Sequence, residues 1–244
     1  MTVAAVIPAR WASSRFPGKP LVEIAGKPML AHVWARTRQA ERVDVTIVAT
    51  DDERIAACCE ELGMDYQLTS PKHPTGTDRL AEVAPSHSAD IYVNVQGDEP
   101  LIEPAAIDAV VAVLQQRLTD GIEVATAYIE GATPEQEQND SVVHLVPTAD
   151  GCVLALSRLP IPKAFKDDYV RNVHVGLYAF TPGALVRYAE RAQGPVERAE
   201  SIEMLRFLEY SERIACVAVP AGSIGVDYPR DVARVEARLT QAKN

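Results

Sequence analysis

The chain has no excess of positive charge, no C-x-x-C pair and no apolar run of 18 residues. Its 24 lysines and arginines are outnumbered by 34 aspartates and glutamates, a formal net charge of −10. That balance argues against nucleic acid or an anionic membrane as a partner, so any anion binding must be local. Four cysteines, Cys58, Cys59, Cys152 and Cys216, lack metal-ligand spacing and read as buried reduced thiols, which fits a cytoplasmic location. The N-terminus lacks a basic stretch followed by a long apolar one, so neither a signal peptide nor a membrane span is expected. Neither G-x-G-x-x-G nor the Walker A spacing follows the first apolar run, which removes the dinucleotide and P-loop readings.

What is present is an ordinary globular composition, 47% hydrophobic and 24% charged, over 244 residues. We read residues 1–244 as one domain, with an accessory subregion at about 140–190. The runs VAAVIPA, VTIVAT, DIYVNVQ, EVATAYI, HVGLYAF and ACVAVP predict strands. Between them Met29, Leu30, Val33, Trp34 and Thr37 recur at helical spacing, as do Ile55, Ala56, Cys59 and Leu62, and Ile107, Val110, Val111 and Leu114. Alternation of this kind predicts βαβ units and an α/β fold with a mostly parallel central sheet. The polar stretch EGATPEQEQNDS, residues 130–141, predicts an exposed loop.

Four stretches carry chemistry. PARWASSRFPGKP leaves the first predicted strand with Arg10, Arg15 and Lys19 as a cluster of cations, and Ser13, Ser14 and Gly18 as small residues with approachable backbone N–H groups. The carboxyl edge of a parallel sheet is where ligands bind, and this set suits a polyphosphate. VNVQGDEPLI ends another strand in Gln96, Gly97 and Asp98, placing a carboxylate at the same edge. Phosphates bridged to an aspartate suggest Mg2+, which takes one or two carboxylates plus substrate oxygens. TGTDR (75–79) offers hydroxyls, Gly76 and Arg79, suited to a base or sugar. GVDYPRD (225–231) places Asp227 between a short predicted strand and a helix, where it serves either as a ligand or as a helix cap. Trp11 either covers a ligand or packs under its loop, and His32, His73 and His87 read as packed or solvated side chains.

Taken in order, IPARWASSRFPGKPL, ATDDERI, TGTDRLAE, VNVQGDEPLI, SRLPIP, HVGLYAF, AESIEMLRFLE and GVDYPRD resemble the 3-deoxy-manno-octulosonate (Kdo) cytidylyltransferase family across essentially the whole chain. The resemblance implies a glycosyltransferase-A-like, Rossmann-like nucleotidyltransferase, usually a homodimer, that uses CTP and Mg2+ to attach CMP to a small acidic acceptor. It also implies that Arg15, Lys19 and Asp98 are catalytic, and that Asp98 and Asp227 bind the metal. Arg10, Ser13, Ser14, Thr75, Gly76, Asp78 and Arg79 would bind CTP; Gln96, Arg158, His174, Tyr178 and Glu203 would bind the acceptor. The subregion at 140–190 would serve acceptor binding or dimerisation.

Departures from the family pattern fall in the acceptor half: Met204 stands where an amide is usual, Val173 for a lysine, His144 for a lysine and Ala155–Leu156 for an aromatic pair. After the prolines come Lys163, Ala164, Phe165 and Lys166. A site stripped of sugar-binding groups suits a less hydroxylated acid. Kdo and a phosphonate such as phosphonoformate, held by Arg158, His174 and Lys163 or Lys166, therefore stand level as acceptors. The alternative from another class is a nucleotide-sugar-binding protein without activity; the joint presence of Lys19, Asp98 and Asp227 favours an enzyme.

Overall fold

In a computed structural model, residues 1–12, 16–220 and 224–241 are described. The chain divides into two compact units, Met1–Asp108 with Gly222–Asn244, and Ala109–Ala221. The subregion expected at 140–190 lies inside the second.

The first unit is built on β1 (Val3–Ala9). After it come two short strands, β2 (Glu23–Ile24) and β3 (Lys27–Pro28), then α1 (Met29–Thr37), β4 (Val45–Thr50), α2 (Glu53–Leu62), β5 (Tyr66–Leu68), α3 (Gly76–Val83) and β6 (Ile91–Val95). β6, β1, β4 and β5 lie side by side in that order, all parallel, with Ala4 opposite Val45 and Tyr92. β1 is apolar on both faces because helices cover both, as a central parallel strand requires.

Helix boundaries follow local chemistry. Asp52 caps α2 by accepting from the Arg54 N–H, and Gly63, at φ 63°, ends it. The Met64 N–H then reaches the Cys59 carbonyl (2.9 Å) and the Gly63 N–H that of Glu60 (3.2 Å), a Schellman closure. Met64 therefore takes the core position, and Leu62, which the periodicity places inside, stays exposed. The stripes on α1 and on α4 (Pro104–Arg117) are buried as the spacing predicts.

The second unit contains β7 (Val124–Glu130), α5 (Pro134–Glu137), β8 (His144–Pro147), β9 (Val153–Ser157), β10 (Asn172–Phe180), α6 (Pro182–Glu190), α7 (Pro195–Glu200), α8 (Leu205–Glu209) and β11 (Ala215–Ala218). β7 pairs antiparallel with β10 and parallel with β11, while β8 pairs antiparallel with both β10 and β9. This unit supplies the antiparallel share of an α/β protein. The polar stretch 130–141 contains α5, which the Thr133–Gln136 capping box starts.

The chain returns to the first unit for α9 (Pro229–Gln241). No strand forms at 224–227, contrary to the sequence expectation, because the Val226 N–H is used on the Asp98 carbonyl (2.9 Å) rather than in a ladder. Among the described residues no helix is long and apolar enough to cross a membrane.

Candidate active site

Three turns of the first unit carry the acidic and basic groups that the sequence singled out. The turn after β1 is tied by the Gly18 N–H donating to the Trp11 carbonyl (3.1 Å). Gly18 sits at φ 71°, and a Cβ there would lie 2.9 Å from the Trp11 ring, so glycine is required on both counts. The other partner of the indole is the Arg54 guanidinium, 3.4 Å from the ring centroid. Trp11 thus packs against its own loop at Gly18 and against Arg54 of α2.

Gly97 brings the end of β6 against β1. A Cβ at this position would stand 2.7 Å from the Pro8 carbonyl oxygen, a backbone atom that cannot swing aside. Gly97→Ala should therefore cost about 1–3 kcal/mol of stability by overpacking, with a loss of turnover as Asp98 is displaced. Chemical denaturation alongside an activity assay checks both, and an unchanged midpoint would refute the close approach.

One apolar cluster holds all three turns. Ile24, Met29, Leu101, Val226 and Val235 are buried together, with Phe16, Val22, Ile224, Val232 and Leu239 packed on them. Phe16 precedes Lys19 in its turn, Leu101 follows Asp98, and Val226 adjoins Asp227. Above this cluster the Lys19 ammonium stands 2.6 Å from Asp98 Oδ2 and 3.8 Å from Asp227 Oδ1. Lys19 is largely covered, whereas both carboxylates keep about a third of their surface in solvent. In the first turn of α9, Asp231 accepts from the Asp227 and Tyr228 N–H groups (3.0 and 2.8 Å).

Two carboxylates within reach of one point suit a hard divalent ion that completes its shell with substrate oxygens and water. Among the described residues no group of three or more His, Cys, Asp or Glu side chains forms a self-sufficient metal cage. A lysine at this place supplies a compact positive charge to a phosphoryl oxygen.

The remaining expected nucleotide ligands of this unit differ in placement. Arg10 is exposed, while Ser13, Ser14 and Arg15 lie outside the described residues. Thr75 caps α3, accepting from the Asp78 N–H (3.1 Å) and donating to Asp78 Oδ2 (2.6 Å), with Gly76 as the first helical residue. Arg79 departs from the ligand role expected of it. Its guanidinium is buried, donating to Asp51 Oδ2 (2.9 Å) and to the Thr69 hydroxyl, and so braces α3 against the end of β4. Asp51, which sequence reasoning passed over, sits beside the Asp52 cap in ATDDERI.

Of the five expected acceptor residues, Gln96 stands in the first unit, half-buried, its carbonyl accepting from the Glu99 N–H (3.2 Å). The other four are in the second unit. Arg158 spends its guanidinium on four backbone carbonyls, those of Glu200, Asp140, Ser141 and Ser201, at 2.6–3.2 Å. It pins loops together rather than presenting a charge. Glu203 is half-buried, its carbonyl accepting from the Arg206 N–H (3.2 Å). Tyr178 is buried and stacked on the His174 ring, centroids 5.5 Å apart.

His174 is neutral. The Thr126 hydroxyl donates to the Leu177 carbonyl (3.0 Å), leaving its lone pairs for the His174 Nε2–H at 2.9 Å. Burial holds the pKa down, at about 4. Since the native ring binds its proton only near pH 4 and the unfolded ring near pH 6.5, stability should fall as pH drops through that window, by about 3 kcal/mol in all. His144, lowered by burial too, adds a slope of the same sign. Urea titrations of wild type and His174→Gln between pH 7 and pH 4 isolate the His174 part; equal slopes would refute it.

Comparison with known proteins decides the family. The sequence profile described as Cytidylyltransferase matches residues 4–214. The 3-deoxy-manno-octulosonate cytidylyltransferase of Geobacter metallireducens is 44% identical over 99% of each chain. The chain belongs to the 3-deoxy-manno-octulosonate cytidylyltransferase family. An Anaeromyxobacter relative of the same name is also 44% identical, covering 97% of this chain and 96% of its own. The solved structure of a CMP:2-keto-3-deoxy-manno-octonic acid synthetase complexed with CTP superposes with a TM-score of 0.93 at 36% identity, covering 99% of this chain and 100% of that one. As a member of this family the chain is a cytidylyltransferase with a nucleotidyltransferase fold.

Its departures from the Kdo cytidylyltransferase pattern fall mostly on covered positions. Met204 and His144 have no accessible surface, and Val173 and Leu156 are buried. The changes are therefore to packing more than to a wettable surface. Lys163 and Lys166 are exposed.

Proposed function

We propose that this cytidylyltransferase transfers CMP from CTP to Kdo and releases pyrophosphate, activating a sugar acid for the bacterial envelope. The observation that carries the chemistry is the Lys19 ammonium set between Asp98 and Asp227. An acceptor oxygen attacks the α-phosphorus in line as pyrophosphate leaves, a reaction that needs positioning and charge neutralisation rather than a covalent intermediate. In this reading Lys19 and Arg15 neutralise the phosphoryl oxygens, while Arg10, Ser13 and Ser14 receive the triphosphate. Thr75, Gly76 and Asp78 receive the cytosine base. Asp98 and Asp227 would hold Mg2+, which supplies further positive charge to the phosphates when bound.

Kdo is favoured over a phosphonate on two grounds. Relatives that align over nearly the full chain bear that name. The small-acid alternative drew on Arg158, His174 and Lys163 or Lys166; Arg158 is committed to carbonyls and His174 is neutral, which leaves of that set only the exposed lysines as free charge for a compact anion.

Pyrophosphate release with CTP and Mg2+, offering Kdo and phosphonoformate in parallel, tests the reading. Turnover with Kdo is expected. Turnover only with phosphonoformate would replace the acceptor, and silence with both would leave either another acceptor or a binding protein without activity. Asp98→Asn should require far more Mg2+ to reach half-maximal rate, and an unchanged metal titration would remove that carboxylate from the ligand set.

A further inference from the structure

β6 is the strand that leads into Gln96, Gly97 and Asp98, and it carries two polar side chains on the face opposite Ile91, Val93 and Val95. Both grip α3. Asn94, with no accessible surface, donates from Nδ2 to the Thr77 hydroxyl oxygen at 3.1 Å, in the first turn of the helix. Two residues earlier, Tyr92 places its hydroxyl 2.9 Å from the carbonyls of Ala84 and His87, just past the end of the helix. α3 is thus fastened at each end to one strand, while Arg79 fastens it to Asp51 beyond β4.

The Asn94 contact is expensive. Its Oδ1 is buried without a hydrogen-bond partner among the described residues, and an apolar β-branched side chain in this strand would avoid that cost. Exchanging the amide O and N would keep the Thr77 contact and leave the nitrogen unpaired instead, so the cost stands either way. Hydrophobic packing alone would let α3 slide or rotate slightly on the sheet; a buried directional bond at Thr77 fixes the first turn in one place.

We propose that Asn94 and Thr77 act together as positioning residues for nucleotide choice. Their bond fixes the Thr75–Asp78 turn relative to Asp98, and so sets the enzyme's preference for cytosine over uracil. This rests on the reading above that the Thr75–Asp78 turn receives the base. The two pyrimidines differ by the exchange of a donor for an acceptor, which a rigid polar turn can discriminate and a loose one cannot.

The test is steady-state pyrophosphate release with CTP or UTP varied at saturating Kdo and Mg2+. Thr77→Val is nearly isosteric and removes the hydroxyl. It should raise KM for CTP about tenfold, lower the CTP-over-UTP ratio of kcat/KM by a similar factor, and leave kcat within about twofold. Asn94→Ala should do the same, the double variant should be no worse than the weaker single one, and Thr77→Ser should restore wild-type selectivity. If both nucleotides lose efficiency equally, or if KM for CTP does not move, the positioning role is overturned. Asp78→Asn serves as the control on the underlying reading: loss of CTP selectivity there with none in Thr77→Val overturns this inference alone, whereas an unchanged KM for CTP in Asp78→Asn overturns the base-binding turn itself.

Discussion

Replacing Lys19 by alanine is expected to lower kcat by about 10²–10³, the range seen when one preorganised donor to a developing oxyanion is removed. Three features of its setting place Lys19→Ala in that range. Its side chain is largely covered, so its charge is incompletely screened by water, and the turn that carries it is anchored by Phe16 in the apolar cluster. Its removal also leaves Asp98 and Asp227 facing one another without the cation between them, which raises the local negative charge where CTP must dock. Lys19→Arg should recover little, because a planar guanidinium cannot reproduce a single ammonium 2.6 Å from one carboxylate and 3.8 Å from the other. The measurement is kcat for pyrophosphate release beside a melting curve. Near-native turnover in Lys19→Ala, or a loss matched by unfolding, would show that the ammonium does not act on the phosphates.

That Lys19 and Asp98 meet was legible in the sequence because each follows a strand of the parallel sheet, at whose ends ligands collect, whereas among the described residues no strand leads into Asp227 and its place was carried by its motif alone. The strands VAAVIPA and VTIVAT were legible to the residue, as β1 and β4, since short uncharged runs rich in Val, Ile, Thr and Ala leave little choice of structure. The fates of Arg79 and Arg158 were not. A sequence displays a charge but not its partner, and these partners are Asp51, 28 residues away, and carbonyls up to 43 residues away. The β8–β9 hairpin escaped for a different reason: HLVP and VLALS are short, and Leu154 points to solvent, so neither alternation nor length marked them. Leu62 shows the same limit at a helix end, where the Gly63 closure and not periodicity chose the buried residue.

The largest expected effect on stability lies in the second unit, at Glu197. Its carboxylate takes two bonds from Arg206, Nε to Oε2 at 2.8 Å and Nη2 to Oε1 at 2.7 Å, with both side chains almost fully removed from solvent. Arg206 also donates to the Tyr188 carbonyl (3.0 Å) and lies over the Tyr188 ring at 3.7 Å, and Gln193 adds a bond to Glu197 (2.9 Å). Glu197→Ala takes from the buried guanidinium the carboxylate that holds it by two bonds, a loss that costs about 3–5 kcal/mol and should lower Tm by roughly 6–20 °C in a protein of this size. The same principle makes the pair dispensable as a pair: Glu197→Leu with Arg206→Met should recover most of the loss, short of the bond that the Tyr188 carbonyl gives up. If the double variant were as unstable as Glu197→Ala, packing and not charge would explain the cost. Because Glu203 lies in the turn between α7 and α8, whose ends this pair joins, the double variant should keep its fold yet show a raised KM for Kdo. An unchanged KM would confine the ion pair to holding the two helices together.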